Sequence, residues 1–302
     1  MELGFDAAGI TDAGPLDERQ TRIFADWVAD GFAGEMGYMR RNPDKRTNPG
    51  RFLEGAQSVI CVGLNYKPVN QKEAASNTNI PTGRVANYAQ YEDYHIFMKK
   101  LLRRLAEFIS EAAGKAFRYK ICVDSAPLAE RALAERAGVG FIGKNHMLIN
   151  PQSGPQILLG EIATDLKLQA DVPIANDCSV CNKCVSACPT GALRADGRFD
   201  AGKCISYLTI EYKGRIPAEL SEKIGDRLFG CDECVLACPW YEKSPVCKNK
   251  EFKFYPERAR LDLNKILSLD EKTFRAEFAD SVFGRPGLEG LKRNAEICRK
   301  NL

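Results

Sequence analysis

Long apolar runs are missing from this 302-residue chain. The longest, such as Val59–Val62, fall far short of the roughly 20 residues that span a bilayer, so no membrane attachment is expected. The opening MELGFDAAGI has no basic segment leading into an apolar one, so no secretory signal is expected either, and the protein should be soluble and cytoplasmic. A large charge excess is also missing. Lys and Arg number 43 against 40 Asp and Glu, and a net +3 neither requires nor excludes a nucleic-acid partner. No repeat of solenoid length and no low-complexity tract is found. Histidine is reduced to His95 and His146, which leaves little for zinc sites that use histidine.

Cysteine is abundant instead. Twelve cysteines in a chain with no visible export signal argue for metal ligation in a reducing compartment rather than a disulfide framework. Eight of them fall between Cys178 and Cys238, which suggests three regions: 1–170, a cysteine-rich 171–250, and a charged helical tail at 251–302. The length suits about two domains, and 44% hydrophobic residues can build a core. The polar stretch Asn70–Thr82 reads as a surface loop.

The first region reads as alternating strands and helices. Ser58–Leu64 is a β-branched apolar run that suits a buried strand. Asp93 can cap a long helix in which Ile96, Phe97, Leu101, Leu105, Phe108 and Ile109 recur at helical spacing, with Gly114 as its stop. Lys99, Lys100, Arg103 and Arg104 are read as that helix's solvated face rather than a tRNA contact. Phe117, Tyr119, Ile121 and Val123 alternate as a strand does. A helix at Leu128–Ala137 should follow, with Pro127 in its first turn, an Arg131–Glu135 pair along it and Gly138 as its end. Ile157–Ala163 reads as a further strand, and the succession predicts an α/β domain. Asp124 closes a predicted strand; it either caps the next helix, as Ser125 also could, or belongs to a site. Gly138, Gly140 and Gly143 imitate a dinucleotide or phosphate loop. The order there is helix, glycines, extended chain, the reverse of what cradles a phosphate, and position 145 is Asn, so that reading is rejected.

Cys178-x2-Cys181-x2-Cys184-x3-Cys188-Pro189 is the bacterial-ferredoxin run, in which three thiolates hold one cubane and the fourth reaches a second. Cys231-x2-Cys234-x3-Cys238-Pro239 has the same ending but one cysteine fewer. Crossed ligation then gives cluster 1 to Cys178, Cys181, Cys184 and Cys238. Cluster 2 takes Cys188, Cys231 and Cys234, with Cys204 as the natural fourth ligand. Structural zinc fits poorly, since four cysteines in eleven residues are not two separated knuckles. Cys61 and Cys122 read as buried small hydrophobes, and Cys247 and Cys298 have no ligand-like spacing.

Several segments resemble the epoxyqueuosine reductases: VDSAPLAERALAERAGVGFIGKN (123–145), LINPQSG (148–154), LLGEIATDL (158–166), CISYLTIEYKGRIPAEL (204–220) and IGDRLFGCDECVLACPW (224–240), with GEMGYM (34–39) and YEDYH (91–95). The resemblance implies reduction of epoxyqueuosine to queuosine in the tRNA anticodon wobble position. It implies two [4Fe–4S] clusters and a cobalamin, in an α/β (α+β) cobalamin-binding domain related to reductive dehalogenases. A ferredoxin-like double-cluster domain and a short helical tail would follow. It places Cys204 on the second cluster and makes Asp124 the proton donor, a carboxyl held protonated by an apolar corrin face. It also suggests cofactor contacts at His95, Lys144, Asn145 and Ser206. Implied partners are the tRNA anticodon loop and an external donor such as ferredoxin or flavodoxin, acting on a monomer.

Three positions depart from the family pattern: Gln90-Tyr91 replaces an arginine-bearing element, Tyr241 stands where asparagine is usual, and the chain stops where longer members carry a helical-repeat tail. Two other readings compete, a corrinoid reductase of a small molecule such as an organohalide, and a two-cluster electron carrier without catalysis.

Overall fold

The computed structural model describes residues 3–69 and 80–302. In chain order the strands are β1 (Ala7–Asp12), β2 (Ser58–Asn65), β3 (Thr82–Val85), β4 (Tyr119–Cys122), β5 (Phe141–Ile142), β6 (Leu148–Ile149), β7 (Ile157–Thr164), β8 (Arg227–Phe229) and β9 (Arg260–Asp262). Of the expected surface loop, residues 70–79 lie outside the described residues, and Thr82 already opens β3.

The first sheet has the order β1-β2-β7-β4 and every pairing in it is antiparallel. Of the expected α/β (α+β) domain this is the α+β form, because the segments between these strands return as antiparallel neighbours. β2 is buried along its whole length because both faces are covered. Val59 and Cys61 face the short helix α2 (Glu130–Arg136), whereas Ile60, Val62 and Leu64 face the long helix α1 (Tyr94–Ala113). The two-residue period of a strand thus sorts one apolar run into two cores.

α1 begins and ends where the sequence indicates: the Asp93 side chain accepts from the His95 amide, and Gly114 closes the helix in the left-handed conformation at φ +62°. Its buried stripe is Phe97, Met98, Leu101, Leu102 and Ala106; Ile96 and Phe108, expected inside, are exposed. The apolar face drifts at 3.6 residues per turn, and the two bulky residues fall at its margins. α2 is shorter than expected. It starts at Glu130, with Ala129 at its N-cap and no side-chain cap, so neither Asp124 nor Ser125 caps it and Pro127 lies before it. The expected Arg131–Glu135 pair gives way to other bonds. Glu135 accepts from the Ile142 amide at 2.7 Å, and Arg131 donates to the His146 carbonyl.

The expected tail is not a separate appendage. β9 pairs with β3, which also pairs with β8, so residues 82–85, 227–229 and 260–262 share one sheet. α5 (Gly287–Asn301), which follows α3 (Ile205–Ile210) and α4 (Leu263–Ser268), buries Leu288, Leu291, Ala295 and Cys298 in the same core as Ile205, Leu208, Leu228 and Leu263. The amphipathic spacing of those four residues is what fastens the C-terminal segment to the body. Cys298, to which no role was assigned, is fully buried there.

Candidate active site and cluster region

Asp124 sits two residues past the end of β4, just after Val123, at φ +55°. Asp tolerates this left-handed conformation better than most residues, at a cost of about 1–2 kcal/mol. Ser125 N bonds Val123 O across it at 2.5 Å, closing a three-residue turn that aims the carboxylate outward. Tyr94 Oη donates to Asp124 Oδ2 at 3.1 Å, and His95 Nε2 lies 3.4 Å from the same oxygen. The other ring nitrogen, Nδ1, lies 2.8 Å from Asp93 Oδ1. An ionised carboxylate only accepts, so an imidazole facing one at each nitrogen is held as the doubly protonated cation. Burial works against that charge, but bonds to Asp124 and Asp93 overcome it and raise His95 to about 9.

Asp124 itself moves the other way. Burial pushes its carboxyl up, yet hydrogen bonds from His95 and Tyr94 and the Arg131 charge outweigh it and hold the group below its usual range. In the open site the proton is therefore favoured on His95 and Asp124 is favoured as the carboxylate. The Asp124 side chain is 65% accessible to solvent, although surrounding protein is the largest influence on its ionisation. Exposure combined with that crowding describes a shallow recess around Asp124, with Arg131 exposed beside it and Tyr94 stacked on His95 at 4.0 Å between ring centres. Tyr88 meets Tyr94 edge-on at 6.0 Å.

Behind Asp124 lies a group the sequence reading missed. Glu130 Oε1 accepts from the Asp124 amide at 2.5 Å and from the Cys122 thiol at 3.1 Å. Glu161 is fully buried, and its ligand-capable oxygen is within 4.8 Å of those of Glu130 and Cys122. The signal was available: an acid inside the otherwise apolar strand LLGEIAT has to face something. Tyr94 was missed as well, although it sits in the YEDYH element that supplied His95.

Lys144, Asn145 and Ser206 gather elsewhere, on the cysteine side. Lys144 N donates to Cys178 Sγ at 3.4 Å, and its Nζ bonds Ser179 O and Asn182 Oδ1 at 2.8 and 2.9 Å, bracing the loop around Cys178. Asn145 is buried and reaches Cys234 O at 3.4 Å. Ser206 is half-buried in the first turn of α3, two residues after Cys204. None of the three hydrogen-bonds to Asp124. The glycine triplet acquires its purpose here. A Cβ on Gly143 would stand 2.5 Å from Ile149 Cδ1 and 2.9 Å from Asn145 Oδ1, so glycine is what lets these two side chains close over the turn, with Cys178 Sγ in ordinary contact at 3.4 Å.

The thiols form two neighbourhoods. Burial raises Cys184 and Cys238, and the charges of Cys178 on both and of Cys181 on Cys238 add to it. Separately, burial followed by the Cys204 charge raises Cys231 (to about 12) and Cys234, which also feels Cys188. Cys188 acts on Cys204 in turn. Thiolates that repel in this way suit a shared cationic core. Among the described residues no three of these sulfurs lie within 4.8 Å of one another, whereas thiolates on a single zinc at about 2.3 Å sit under ~4 Å apart. Phe141, Ile149 and Trp240 pack against Cys178 and Cys238 and keep that side apolar.

At the departures from the family pattern the structure shows packing contacts, and Tyr241 packs beside Cys178 and Cys238. Gln90 is buried and donates to Val85 O at 3.1 Å, and Tyr91 stacks on Phe252 at 4.5 Å. Lys67 lies over the Tyr241 ring at 4.4 Å.

A family model described as "Epoxyqueuosine reductase QueG, DUF1730" matches residues 46–125, and one described as "4Fe-4S double cluster binding domain" matches 177–241. The chain is 38% identical to an epoxyqueuosine reductase of Vibrio cholerae over 302 residues, covering 100% of this chain and 81% of the relative. The chain belongs to the epoxyqueuosine reductase family. Members of known structure superpose closely. An epoxyqueuosine reductase crystallised with an epoxyqueuosine-modified tRNA-Tyr stem loop matches at a TM-score of 0.91 and 32% identity, over 99% of this chain and 78% of that one. The Bacillus subtilis enzyme, captured with the loop of a catalytic aspartate swung out of its active site, matches at 0.90 and 31%, over 99% and 78%. The chain is thus an oxidoreductase of this family with a double [4Fe–4S] cluster-binding domain.

Proposed function

We propose that this chain reduces epoxyqueuosine to queuosine at the wobble position of a tRNA anticodon, with electrons passing through two [4Fe–4S] clusters to a cobalamin. The observation that carries the reading is the Tyr94–His95–Asp124 group at the floor of an accessible recess. Removing an epoxide oxygen as water consumes two electrons and two protons. The cofactors, when bound, supply the electrons, one at a time from the clusters. The chain supplies the acid: His95 holds a proton at neutral pH, Asp124 bridges it to the recess, and Tyr94 fixes the carboxylate's orientation. The accessible yet enclosed setting of Asp124, Arg131 and Tyr94 fits a large ligand seated over them.

The ligand sets proposed are Cys178, Cys181, Cys184 and Cys238 for one cluster, and Cys188, Cys204, Cys231 and Cys234 for the other. Residues 1–170 would carry the cofactor and substrate, with Lys144, Asn145 and Ser206 joining the cofactor site to the clusters. A monomer in the cytoplasm, fed by a ferredoxin or flavodoxin, fits this scheme. The relative solved with a modified stem loop and the relative with a mobile aspartate loop support tRNA as substrate and a loop aspartate as acid.

The test is single turnover. Anaerobically reconstituted, reduced, cobalamin-loaded protein is mixed with epoxyqueuosine-tRNA, and nucleosides are read by mass spectrometry. Conversion to queuosine that is lost in Asp124→Ala is expected. Reduction of an organohalide instead, or intact clusters with no cobalamin bound, would replace this reading with a small-molecule reductase or an electron carrier.

A further inference from the structure

The buried acids behind the recess have no part in the scheme above. Glu161 stands in the middle of β7, with Cys61 of β2 and Cys122 of β4 as its direct cross-strand neighbours, so all three point to the face covered by α2. From α2, Glu130 reaches down to the same place. Among the described residues, neither oxygen of Glu161 meets a hydrogen-bond donor in good geometry. A fully buried carboxylate left bare costs several kcal/mol, and two such groups side by side cannot both stay ionised. Glu130 Oε1 spends its acceptor capacity on the Asp124 amide and the Cys122 thiol. What remains for Glu161 is a share of the Cys122 thiol and a carboxyl–carboxylate hydrogen bond to Glu130.

We propose that Glu130 and Glu161 share a proton and together form a latch that holds the Asp124 turn in its left-handed conformation, which makes both of them positioning residues for epoxide reduction. The proposal rests on the functional reading given above. The chemistry of the pair supports it. Burial and the neighbouring Asp124 charge push Glu130 up to about 7, and burial with the Glu130 charge pushes Glu161 well above the carboxylate range. The pair therefore keeps at least one proton at neutral pH. The other charged or titratable groups facing it are Arg131 and Tyr94 on the recess side, and Cys61 and Cys122 on the sheet. A metal ion at Cys122, Glu130 and Glu161 is the competing occupant. It would need a thiolate, but burial and the adjacent carboxylates drive the Cys122 thiol strongly upward, and that thiol donates to Glu130.

In mechanical terms, Glu130 anchors the amide of the residue whose carboxylate does the chemistry. The shared proton keeps Glu130 from turning away to relieve its own burial. Loss of the anchor would let the turn relax from φ +55° and carry the Asp124 carboxylate off Tyr94 and His95.

The experiment uses the full chain with its clusters reconstituted. Amide hydrogen exchange at Asp124 and Ser125, corrected for intrinsic rates, is measured from pH 5.5 to 8.5 beside single-turnover conversion of epoxyqueuosine stem-loop RNA. Glu130→Ala should raise exchange at these amides about tenfold and lower turnover by a similar factor, the scale of one hydrogen bond to a charged acceptor. Glu161→Ala should do likewise, and Glu161→Gln, whose amide donates to Glu130 as the shared proton does, should restore both to within about threefold of wild type. In the wild type, loop exchange should step near pH 7, and Glu130→Gln should abolish the step. Wild-type protection in Glu130→Ala would overturn the latch. So would failure of Glu161→Gln to rescue, or one equivalent of zinc that Glu161→Gln releases. The exchange data stand apart from turnover: a wild type that does not convert the RNA but shows the step and the rescue would refute the functional reading and leave the latch intact.

Discussion

Replacing His95 by Gln removes one imidazole and the single stored proton at the floor of the recess. The two carboxylates that face its ring raise His95 from 6.5 to about 9, a preference worth about 3 kcal/mol at 1.36 kcal/mol per unit. Asp124 is 65% accessible, so solvent screening takes roughly half, and about 1.5 kcal/mol remains, close to tenfold. The sign follows from the direction of the shift. A histidine whose folded value lies above its unfolded one contributes fully below about 6.5, and the contribution fades as pH rises through about 9. Single-turnover reduction of epoxyqueuosine-tRNA by the wild type should therefore fall on an alkaline limb centred near pH 9, separate from any change that the Glu130–Glu161 pair produces near pH 7. His95→Gln should be slower by about tenfold at pH 7, should lack that limb, and should approach the wild type above pH ~10. An unchanged limb in the variant, or no limb in the wild type, would show that the proton for the leaving oxygen comes from elsewhere.

Cys204→Ser should leave the first cluster in place and remove the second, so iron and acid-labile sulfide each fall from about eight to about four per chain in anaerobic analysis. An unchanged count would take Cys204 out of the ligand set. Asn294 is fully buried and its amide donates to Thr209 O at 2.8 Å and Leu228 O at 3.0 Å, tying α5 to α3 and β8. Asn294→Ala should destabilise the protein by about 1–3 kcal/mol and lower its thermal midpoint, because two buried carbonyls lose their donor; an unchanged midpoint in scanning fluorimetry would mean the C-terminal helix is not held this way.

The parts of this molecule that could be read from sequence are those whose determinants are local. The caps at Asp93 and Gly114, the strand at Ser58–Leu64 and the Cys-x2-Cys runs each carry their signal within a few residues. Strand direction is not local. The order β1-β2-β7-β4 depends on which distant segments meet, and an alternation of strand and helix patterns does not distinguish a parallel crossover from an antiparallel return. The same limit hid the union of the C-terminal segment with β3 and β8. At the site, the sequence marked Asp124 and His95 but could not say that they touch, because 28 intervening positions carry no distance. Glu130 and Glu161 were passed over because each looks ordinary in its own helix or strand; only cross-strand register and burial make them a pair.

The sequence-based expectation of a protonated Asp124 concerns a carboxyl beside an apolar corrin face, a setting different from the open site, where His95 is favoured to hold the proton. A corrin face and an anticodon base seated over the recess would expel the water that now reaches the 65% accessible carboxylate. Desolvation penalises both members of an ion pair: it raises the carboxylate and lowers the imidazolium, so the proton is driven from His95 Nε2 across 3.4 Å to Asp124 Oδ2. Asp93 opposes the transfer by holding the Nδ1 proton at 2.8 Å, which fixes the tautomer that remains. The neutral carboxylic acid expected beside an apolar ligand would then be a product of ligand binding, while the open site stores its proton on nitrogen. Nitrogen-15 NMR of histidine-labelled protein tests this directly. His95 should show the imidazolium pattern in the open protein at pH 7 and shift to the neutral, Nδ1-protonated pattern when cobalamin and an unreactive queuosine stem loop are both bound. An imidazolium signal that persists in the filled site would mean that His95 itself faces the leaving oxygen and that Asp124 only orients it.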